Sequence, residues 1–362
     1  MSAIQLSPDG QLAAYHRTDN GQVNVWTLSL SDGQTRQLTF QEHIKGFPAW
    51  SHDGKFLAIE VADGVNTQIA VIPRTGGPLV PLTHDTGQNW YWFIVDGQTQ
   101  LDPLNGFVVP NYAYLNSDVV VPGSVPQLWE ATDVPHGELH HHFYKSSIAS
   151  GLPGEQRDYY VYTPPGYDPK GSRTYPVLYL LHGYAQTAAD WTVPGGANFI
   201  LDNLIAQGKA KSMILVMPLG YGSVDIVSQT LLAEVLPEVE SEYRVSKNRN
   251  DRAIAGLSLG AMESLNISFH NPQLFAWVGS FSAGDMLHST HPLPMNLKQT
   301  QFRLLWISCG SDDALFETNR QLIALLAEKK FPVTAVQITG AHTWMVWHDN
   351  LIHFAPLLFQ GK

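Results

Sequence analysis

Over the last two thirds of the chain, short apolar runs alternate with stretches in which apolar residues recur every three to four positions. The continuous runs lie at 177–181, 213–217, 253–255, 277–281, 304–308 and 333–338. The stretches with helical spacing lie at 197–207, 231–243, 261–269, 317–329 and 347–359. Strands that are apolar throughout are buried on both faces, as in a parallel sheet covered by helices. The alternation therefore predicts an α/β fold with a mostly parallel sheet from about residue 127 onward.

The first 86 residues carry a different pattern, which repeats after 44 residues. Ser7-Pro-Asp-Gly10 returns as Ser51-His-Asp-Gly54, and Leu38-Thr39 returns as Leu82-Thr83. Each copy predicts an Asp-Gly turn followed by two strands, and the copies resemble the blades of TolB-like and prolyl-oligopeptidase-like propellers. Two blades cannot close a ring. We therefore expect residues 1–86 to form an open all-β appendage, whose unpaired strand edges favour a homodimer.

Composition narrows the range of partners. The chain has 362 residues, is 44% hydrophobic and has a formal net charge of −11 without a run of Lys or Arg, which argues against nucleic acid or an anionic membrane as a partner. No apolar run has the length of a membrane span, and the first residues lack a signal-peptide profile, so the sequence leaves the compartment open. The single cysteine, Cys309, excludes an internal disulfide and is expected to pack inside a strand.

The stretch Gly256-Leu-Ser-Leu-Gly260 joins a predicted strand to a predicted helix. Gly-x-Ser-x-Gly at such a junction is the pattern of a nucleophile elbow, in which a strained turn keeps the serine side chain exposed. Side chains in place of the two glycines would crowd the neighbouring strand and helix. Ser258 is therefore the predicted nucleophile.

A serine hydroxyl needs a histidine to take its proton, and the histidine needs an acid to orient it. Asp312 and Asp313 both follow the strand predicted at 304–308, and His342 follows the strand predicted at 333–338. The order serine, acid, histidine is that of α/β-hydrolases. His348 and His353 are less suitable bases, because they lie in the next predicted helix and not on a strand-end loop.

The developing oxyanion needs two hydrogen-bond donors. We predict the backbone N–H groups of Leu259, directly after the nucleophile, and of Tyr184, after the strand at 177–181. Gly183 would let the backbone approach the substrate, and Trp191 is predicted to stack on an aromatic acyl group or a sugar. His182 is expected to shape this loop and not to act as an acid or base.

Three consecutive histidines, His140, His141 and His142, invite a metal-site hypothesis. On a strand, however, alternate side chains point to opposite faces, so the three rings do not converge. We therefore expect no metal site here, and the predicted chemistry requires no cofactor.

These motifs lie in a region, about 128–359, that resembles carbohydrate esterase family 1, with its feruloyl esterases, and the enterochelin-esterase-like group of α/β-hydrolases. The matching stretches are Asp133-Val-Pro-His-Gly137, Tyr160-Val-Tyr-Thr-Pro-Pro-Gly-Tyr167, Leu180-Leu-His-Gly-Tyr184 with Trp191, Gly256-Leu-Ser-Leu-Gly260, Gly310-Ser-Asp-Asp313, and Gly340-Ala-His-Thr-Trp344 with Trp347. The resemblance implies a serine esterase with the triad Ser258, His342 and Asp313, and it favours Asp313 over Asp312. It also implies a secreted or periplasmic location, with a cytoplasmic one still open.

Residues 87–126 form a third segment. Trp90-Tyr-Trp-Phe-Ile-Val-Asp-Gly97 and Leu101-Asp-Pro-Leu-Asn105 predict a strand, a turn and a loop. They resemble the last strands of the immunoglobulin-like domain that precedes the catalytic domain in enterochelin-esterase-like proteins. The predicted division is therefore 1–86, 87–126 and 127–362.

The expected function is hydrolysis of hydroxycinnamoyl esters of plant cell-wall polysaccharides, through an acyl-enzyme. Acetyl, short-chain acyl or siderophore esters are alternative substrates within the same family. The blade-like repeats favour a prolyl-oligopeptidase-like peptidase as a second hypothesis, and a glycan- or protein-binding scaffold is the non-enzymatic one. The stretch 220–228 is shorter than the usual loop before the next helix, which predicts an open site with broad ester tolerance.

Overall fold

The computed structural model describes residues 4–19, 21–40, 44–63, 66–81, 87–91, 93–95, 98–103, 105–109, 111, 116–121, 125–294 and 302–361. The chain divides into two compact units. The first comprises Met1–Tyr91 with Asp118–Gln127, and the second comprises Trp92–Ser117 with Leu128–Lys362. This division differs from the predicted one, because most of the segment 87–126 groups with the C-terminal unit.

The first unit contains two four-stranded antiparallel sheets, each with its strands in chain order. The first sheet consists of β1 (Gln5–Leu6), β2 (Leu12–Asp19), β3 (Gln22–Ser29) and β4 (Thr35–Gln37). The second consists of β5 (Ile44–Trp50), β6 (Phe56–Asp63), β7 (Asn66–Pro73) and β8 (Val80–Pro81). These sheets confirm the predicted all-β N-terminal segment.

The 44-residue repeat is visible in the turns that precede β2 and β6. Ser7 Oγ donates a hydrogen bond of 2.6 Å to the aspartate two residues later, and Ser51 Oγ does the same at 2.8 Å. Gly10 and Gly54 both have a φ of 67°, a left-handed conformation that glycine adopts at little cost. The second Leu-Thr pair, at 82–83, lies outside the described residues. The likeness of the two sheets to propeller blades stays a resemblance.

Among the residues described between 87 and 121, five short strands follow. They are β9 (Gly87–Tyr91), β10 (Phe93–Val95), β11 (Gln98–Gln100), β12 (Val108–Val109) and β13 (Asn116–Val121). β10 pairs with β11, and β12 pairs with β13, in both cases antiparallel. Residues 92, 96, 97, 104, 110, 112–115 and 122–124 of the predicted segment 87–126 lie outside the described residues, and the likeness to an immunoglobulin-like domain stays a prediction.

The second unit is built on an eight-stranded sheet with the order β14-β15-β17-β16-β18-β19-β20-β21. Its strands are β14 (Glu138–Lys145), β15 (Gln156–Thr163), β16 (Val177–Leu181), β17 (Ile214–Pro218), β18 (Arg252–Leu257), β19 (Trp277–Phe281), β20 (Leu304–Gly310) and β21 (Val333–Ile338). β15 runs antiparallel to both of its neighbours, β14 and β17, and the strands from β16 to β21 run parallel to one another. The predicted mostly parallel sheet is confirmed.

In the part of the chain that the structure describes, six α-helices connect or follow these strands: α1 (Ala197–Ala206), α2 (Val224–Thr230), α3 (Leu236–Glu242), α4 (Leu259–His270), α5 (Phe316–Glu328) and α6 (Trp344–Phe354). The strands β16, β17, β18 and β19 are buried along their whole length, which explains their continuous apolar sequence. Within the described residues, no helix combines the length and the apolar composition needed to cross a bilayer.

The helix predicted to begin at residue 231 begins earlier. Ser223 caps α2 by accepting a hydrogen bond from the Ile226 N–H, and a π-helical turn, Leu231–Val235, joins α2 to α3. Pro237 has no N–H to bond the carbonyl four residues before it, which accounts for a wider turn at this point. The predicted loop at 220–228 is therefore only a few residues long before helix begins.

Candidate active site

Ser258 lies at the sharp turn between β18 and α4 and has a φ of 53°. The flanking glycines make this turn possible. A Cβ on Gly256 would lie 2.4 Å from the Gly260 carbonyl oxygen, and a Cβ on Gly260 would lie 2.3 Å from the His182 carbonyl oxygen. The strained serine and the two close approaches are the geometry of a nucleophile elbow.

The three residues predicted as a triad come together in the structure. His342 Nε2 lies 3.0 Å from Ser258 Oγ, and His342 Nδ1 lies 2.8 Å from Asp313 Oδ2. They follow β18, β20 and β21, which are parallel strands of one sheet. Since the carboxyl ends of parallel strands meet at one edge, residues far apart in the sequence reach one another there.

Of the two adjacent aspartates, Asp313 is the one that contacts His342. Its side chain is enclosed, and its Oδ1 accepts the Leu315 N–H at 2.9 Å. Burial alone would raise the pKa of Asp313, but the hydrogen bonds from His342 and Leu315 outweigh it and hold the pKa below its usual value. Asp312 is exposed, and its backbone N–H donates to the Gly340 carbonyl. The carboxylate that faces the histidine is therefore ionised at neutral pH.

The alternative bases have other contacts. His348 is fully buried, its Nε2 donates to the Pro194 carbonyl at 2.8 Å, and burial lowers its pKa to about 4. His353 is exposed on α6 and bonds the Asp349 carbonyl one turn earlier. Neither ring contacts Ser258, so the geometry selects His342 as the partner of the serine.

Two backbone N–H groups beside Ser258 are free to bind an anion. Within the described residues, neither the Leu259 N–H at the start of α4 nor the Tyr184 N–H has a hydrogen-bond partner. The Gly183 N–H, in contrast, donates to Gln186 Oε1 at 2.6 Å. The free N–H groups are those predicted for the oxyanion, at a helix N-terminus and at a strand-end turn.

Gly183 is a position of close approach. A Cβ there would lie 2.8 Å from Leu257 Cδ1 and 3.3 Å from Ser258 Cβ. A side chain at this position would require Leu257 and Ser258 to shift, so glycine eases the packing of this loop against the elbow. Its predicted contact with substrate stays a prediction.

His182 shapes this loop, as expected. Its Nδ1–H donates to the Gly183 carbonyl at 2.9 Å, and its Nε2 accepts the Gly220 N–H at 2.8 Å. Burial lowers the pKa of His182 to about 4, so the ring is neutral at pH 7 and can accept at Nε2. The ring joins the loop after β16 to the loop after β17.

Trp191 does not lie where the sequence analysis placed it. Its indole is only 1% exposed, and its Nε1–H donates to the Leu181 carbonyl at 2.9 Å, so it cannot stack on a substrate in this conformation. It packs edge-on against Trp344, which packs edge-on against Trp347, and Trp347 contacts the His342 ring at a centroid distance of 5.0 Å. The correction is that Trp191 supports the site from the core.

The sequence analysis also missed Gln186, Arg157 and Glu263. Gln186 orders the Gly183 N–H, and Arg157 Nη2 donates to the carbonyls of Leu219 and Tyr221 at 2.9 Å each. Glu263 is buried in α4. The available signal for Glu263 was that it is the only Asp, Glu, Lys or Arg in the sequence of α4.

The histidines of β14 have separate partners. His141 Nε2 lies 2.8 Å from Asp158 Oδ2, and His142 Nε2 lies 2.6 Å from the Tyr243 hydroxyl. Over the part of the chain that the structure describes, no three His, Cys, Asp or Glu side chains are grouped so as to hold a metal ion. Cys309 is buried beside Asp313, and burial raises the pKa of its thiol to about 12, which is the environment of a packing residue.

Comparison with known proteins identifies the family of this chain. The sequence model of the Esterase family matches residues 150–358, more than half of the chain. The chain is 28% identical over 302 residues to an endo-1,4-beta-xylanase/feruloyl esterase of Xylanibacter ruminicola. That alignment covers 79% of this chain but 39% of the relative, so the chain spans well under half of the relative's length.

Solved structures show the same fold. A ferulic acid esterase matches with 25% identity and a TM-score of 0.54, over 61% of this chain and 97% of that chain. The enterobactin esterase of Shigella flexneri matches with 15% identity and a TM-score of 0.59, over 85% of this chain and 95% of that chain. The second likeness is one of fold only. The predicted α/β-hydrolase architecture is confirmed.

Proposed function

This chain belongs to the Esterase family and is a serine esterase, and from that premise we propose that Ser258, His342 and Asp313 hydrolyse carboxylic esters through an acyl-enzyme. The observation that carries the proposal is the chain of two hydrogen bonds, 3.0 Å and 2.8 Å long, which links Ser258 Oγ through His342 to Asp313. This is the arrangement that activates a serine hydroxyl.

In the first half of the reaction, Ser258 Oγ attacks the ester carbonyl carbon while His342 Nε2 takes its proton. The resulting imidazolium is stabilised by the ionised Asp313, which also holds His342 in the tautomer with hydrogen on Nδ1. The carbonyl oxygen becomes an oxyanion and accepts the free N–H groups of Leu259 and Tyr184. Collapse of this intermediate breaks the ester C–O bond, and His342 gives its proton to the departing alcohol.

In the second half, water attacks the acyl-enzyme. His342 takes a proton from the water, the same two N–H groups bind the second oxyanion, and collapse releases the carboxylic acid. The proton on His342 then returns to Ser258 Oγ. The cycle uses only side chains and backbone groups of this chain, so it requires no metal ion or other cofactor, and activity should survive treatment with a chelator.

Among esters, we favour hydroxycinnamoyl esters of plant cell-wall polysaccharides. Support comes from the similarity to a protein named xylanase/feruloyl esterase over 79% of this chain and to the structure of a ferulic acid esterase. Tyr184, whose own N–H is one of the two proposed oxyanion donors, is 71% exposed, so its ring is free to contact an aromatic acyl group.

The test is hydrolysis of methyl ferulate beside p-nitrophenyl acetate and butyrate, with the wild type, Ser258→Ala, and Ser241→Ala as the control for an exposed serine. We expect Ser258→Ala to lose activity by several orders of magnitude, about 10⁴ to 10⁶, and Ser241→Ala to keep it. Turnover of only the short esters would move the substrate to acetyl or other small acyl groups. Activity that survives in Ser258→Ala would overturn the mechanism.

A further inference from the structure

A buried arginine lies beside the loop that follows β17, and the mechanism does not use it. Arg157 belongs to β15 and is 2% exposed. Among the described residues it forms no ion pair, and its Nε–H has no hydrogen-bond partner. Burying a cation is costly unless counter-charges or hydrogen bonds replace the lost solvation, so this position calls for an explanation.

The hydrogen bonds of Arg157 go to the loop after β17. Its Nη2 donates to the Leu219 carbonyl and to the Tyr221 carbonyl, at 2.9 Å each. One guanidinium nitrogen carries two hydrogens, so both hydrogens of Nη2 are used. The guanidinium is planar and rigid, and it therefore holds its two acceptors at fixed positions. These carbonyls lie on either side of Gly220, so the arginine fixes the backbone around that residue.

Gly220 connects this loop to the loop of the proposed oxyanion donor. Its N–H donates to His182 Nε2 at 2.8 Å, and His182 Nδ1–H donates to the Gly183 carbonyl at 2.9 Å. The Gly183 carbonyl and the Tyr184 N–H belong to the same peptide group, which is planar. A hydrogen bond that orients this carbonyl therefore also orients the N–H on the opposite side of the plane.

The direction of this N–H matters for the rate. A donor stabilises the transition state only when it points at the position that the oxyanion will occupy, and a displacement of about 1 Å can cost about 10²-fold. The loop that holds His182 also contains two glycines, Gly220 and Gly222, and glycine allows a backbone many conformations. A buried guanidinium that bonds two carbonyls of this loop restricts that freedom.

We propose that Arg157 is a positioning residue, which orients the N–H of Tyr184 through the loop after β17 and the His182 ring. The inference rests on the proposed function, because the Tyr184 N–H affects the rate only if the site binds an oxyanion. It goes beyond that function in assigning part of the stabilisation of the transition state to a buried cation on a neighbouring strand.

The test compares Arg157→Lys with the control Arg244→Lys. Lysine keeps the charge but has no second nitrogen at the place of Nη2. Arg244 is a matched control, because it is partly buried, its Nη2 donates to the Gly171 carbonyl, and its Nε–H has no partner among the described residues. It lies away from the strand-end loops of the site, where its own carbonyl accepts the Tyr175 N–H just before β16 begins.

Two quantities are measured for each variant: the hydrolysis of p-nitrophenyl acetate, and the inhibition constant of a trifluoromethyl ketone, whose adduct with Ser258 carries an oxyanion. Arg157→Lys should lower kcat about 10- to 100-fold and weaken the inhibitor by the same factor, because both depend on the oxyanion donors. The KM should stay within about twofold of the wild type. Arg244→Lys should lose stability but keep kcat and the inhibition constant.

A second variant tests the connection through the imidazole, even where Arg157→Lys does not fold. His182→Asn retains a donor near the Gly183 carbonyl but is too short to accept the Gly220 N–H. It should lower kcat and weaken the inhibitor as Arg157→Lys does. Arg157→Lys should have little further effect when it is added to His182→Asn, because the connection is then already broken.

Four results would overturn the proposal: a folded Arg157→Lys with unchanged kcat, a loss of kcat without a matching weakening of the inhibitor, a His182→Asn variant with unchanged kcat, or losses that multiply in the double variant. Failure of the proposed function is distinguishable, because it would appear as ester hydrolysis that survives in Ser258→Ala. Failure of the present inference would leave the activity of the wild type and its loss in Ser258→Ala intact.

Discussion

At the scale of single residues, the geometry of the triad depends on which side of a loop each carboxylate occupies. Asp312 and Asp313 are neighbours, yet one is exposed and the other is enclosed against His342. The difference arises because the Asp312 N–H is bonded to the Gly340 carbonyl and the loop turns between the two residues. Adjacent carboxylates thus have different chemical environments.

Asp312 and Asp313 allow two matched variants to be compared. Asp313→Asn should lower kcat by about 10⁴, because an amide no longer holds His342 in the tautomer that accepts the serine proton. Asp312→Asn should change kcat less than about threefold, since its side chain is exposed. Steady-state kinetics with p-nitrophenyl acetate measure both, and equal losses in the two variants would contradict the assignment of the acid.

Trp191 shows that sequence reasoning can predict the position of a residue and still miss the direction of its side chain. The sequence analysis was right that Trp191 lies near the oxyanion loop in the chain. Its prediction that the ring points toward the substrate was wrong. The bond from its Nε1 to the Leu181 carbonyl turns the indole into the core. A sequence position does not specify the direction of a side chain once tertiary contacts compete for it.

At the scale of elements, the site depends on the contact between the start of α4 and the end of β16. Gly260 lies where any Cβ would meet the His182 and Leu181 carbonyl oxygens, at 2.3 Å and 2.6 Å. These are backbone atoms, so relief requires movement of the helix or of the loop that carries Tyr184. The packing of two elements therefore sets the geometry of the oxyanion donors.

We predict that Gly260→Ala loses about 1–3 kcal/mol of stability through overpacking and about 10²-fold in kcat through displacement of the loop. Gly106→Ala is the control, because a Cβ there meets no atom of the described residues within 4 Å. Thermal unfolding and ester hydrolysis measure the two effects. A Gly260→Ala protein with normal kcat would show that the close approach is not needed for the chemistry.

At the scale of the whole molecule, stability should depend on pH through His136. Its Nδ1 lies 2.9 Å from Asp202 Oδ2 in α1, and its Nε2 lies 3.0 Å from the Thr132 carbonyl, so both nitrogens face acceptors. The hydrogen bond to Asp202 is the main cause that raises the pKa of His136 above 6.5. A raised pKa means that the folded state binds the proton more tightly than the unfolded state.

This contribution is present below pH 6.5 and is lost as the pH rises through the raised value. His136→Gln should therefore lower Tm more at about pH 5.5 than at about pH 8.5, relative to the wild type. Ser241→Ala, at an exposed position that carries no titratable group, is the control and should show a flat difference. A His136 effect that is equal at both pH values would rule out this linkage.

We further predict a homodimer formed through the N-terminal β sheets, because outer strands of open sheets leave backbone groups unpaired. Apolar side chains are exposed in this unit, with Leu6 at 62% and Phe40 at 75%. Sedimentation velocity of the full chain over a range of concentrations is the measurement. A monomer at every concentration would remove the prediction.

The sequence by itself determined the alternation of strands and helices, the N-terminal repeat, and the order of Ser258, an acid and His342 along three strand-end loops. These features are local, since they depend on apolar spacing and on the residues that a turn accepts. Only the tertiary structure decided that Asp313 faces His342, that Trp191 points into the core, and that Glu263 is buried in α4. Those outcomes depend on segments distant in the sequence that pack against one another, and no local pattern records the direction in which a side chain then points.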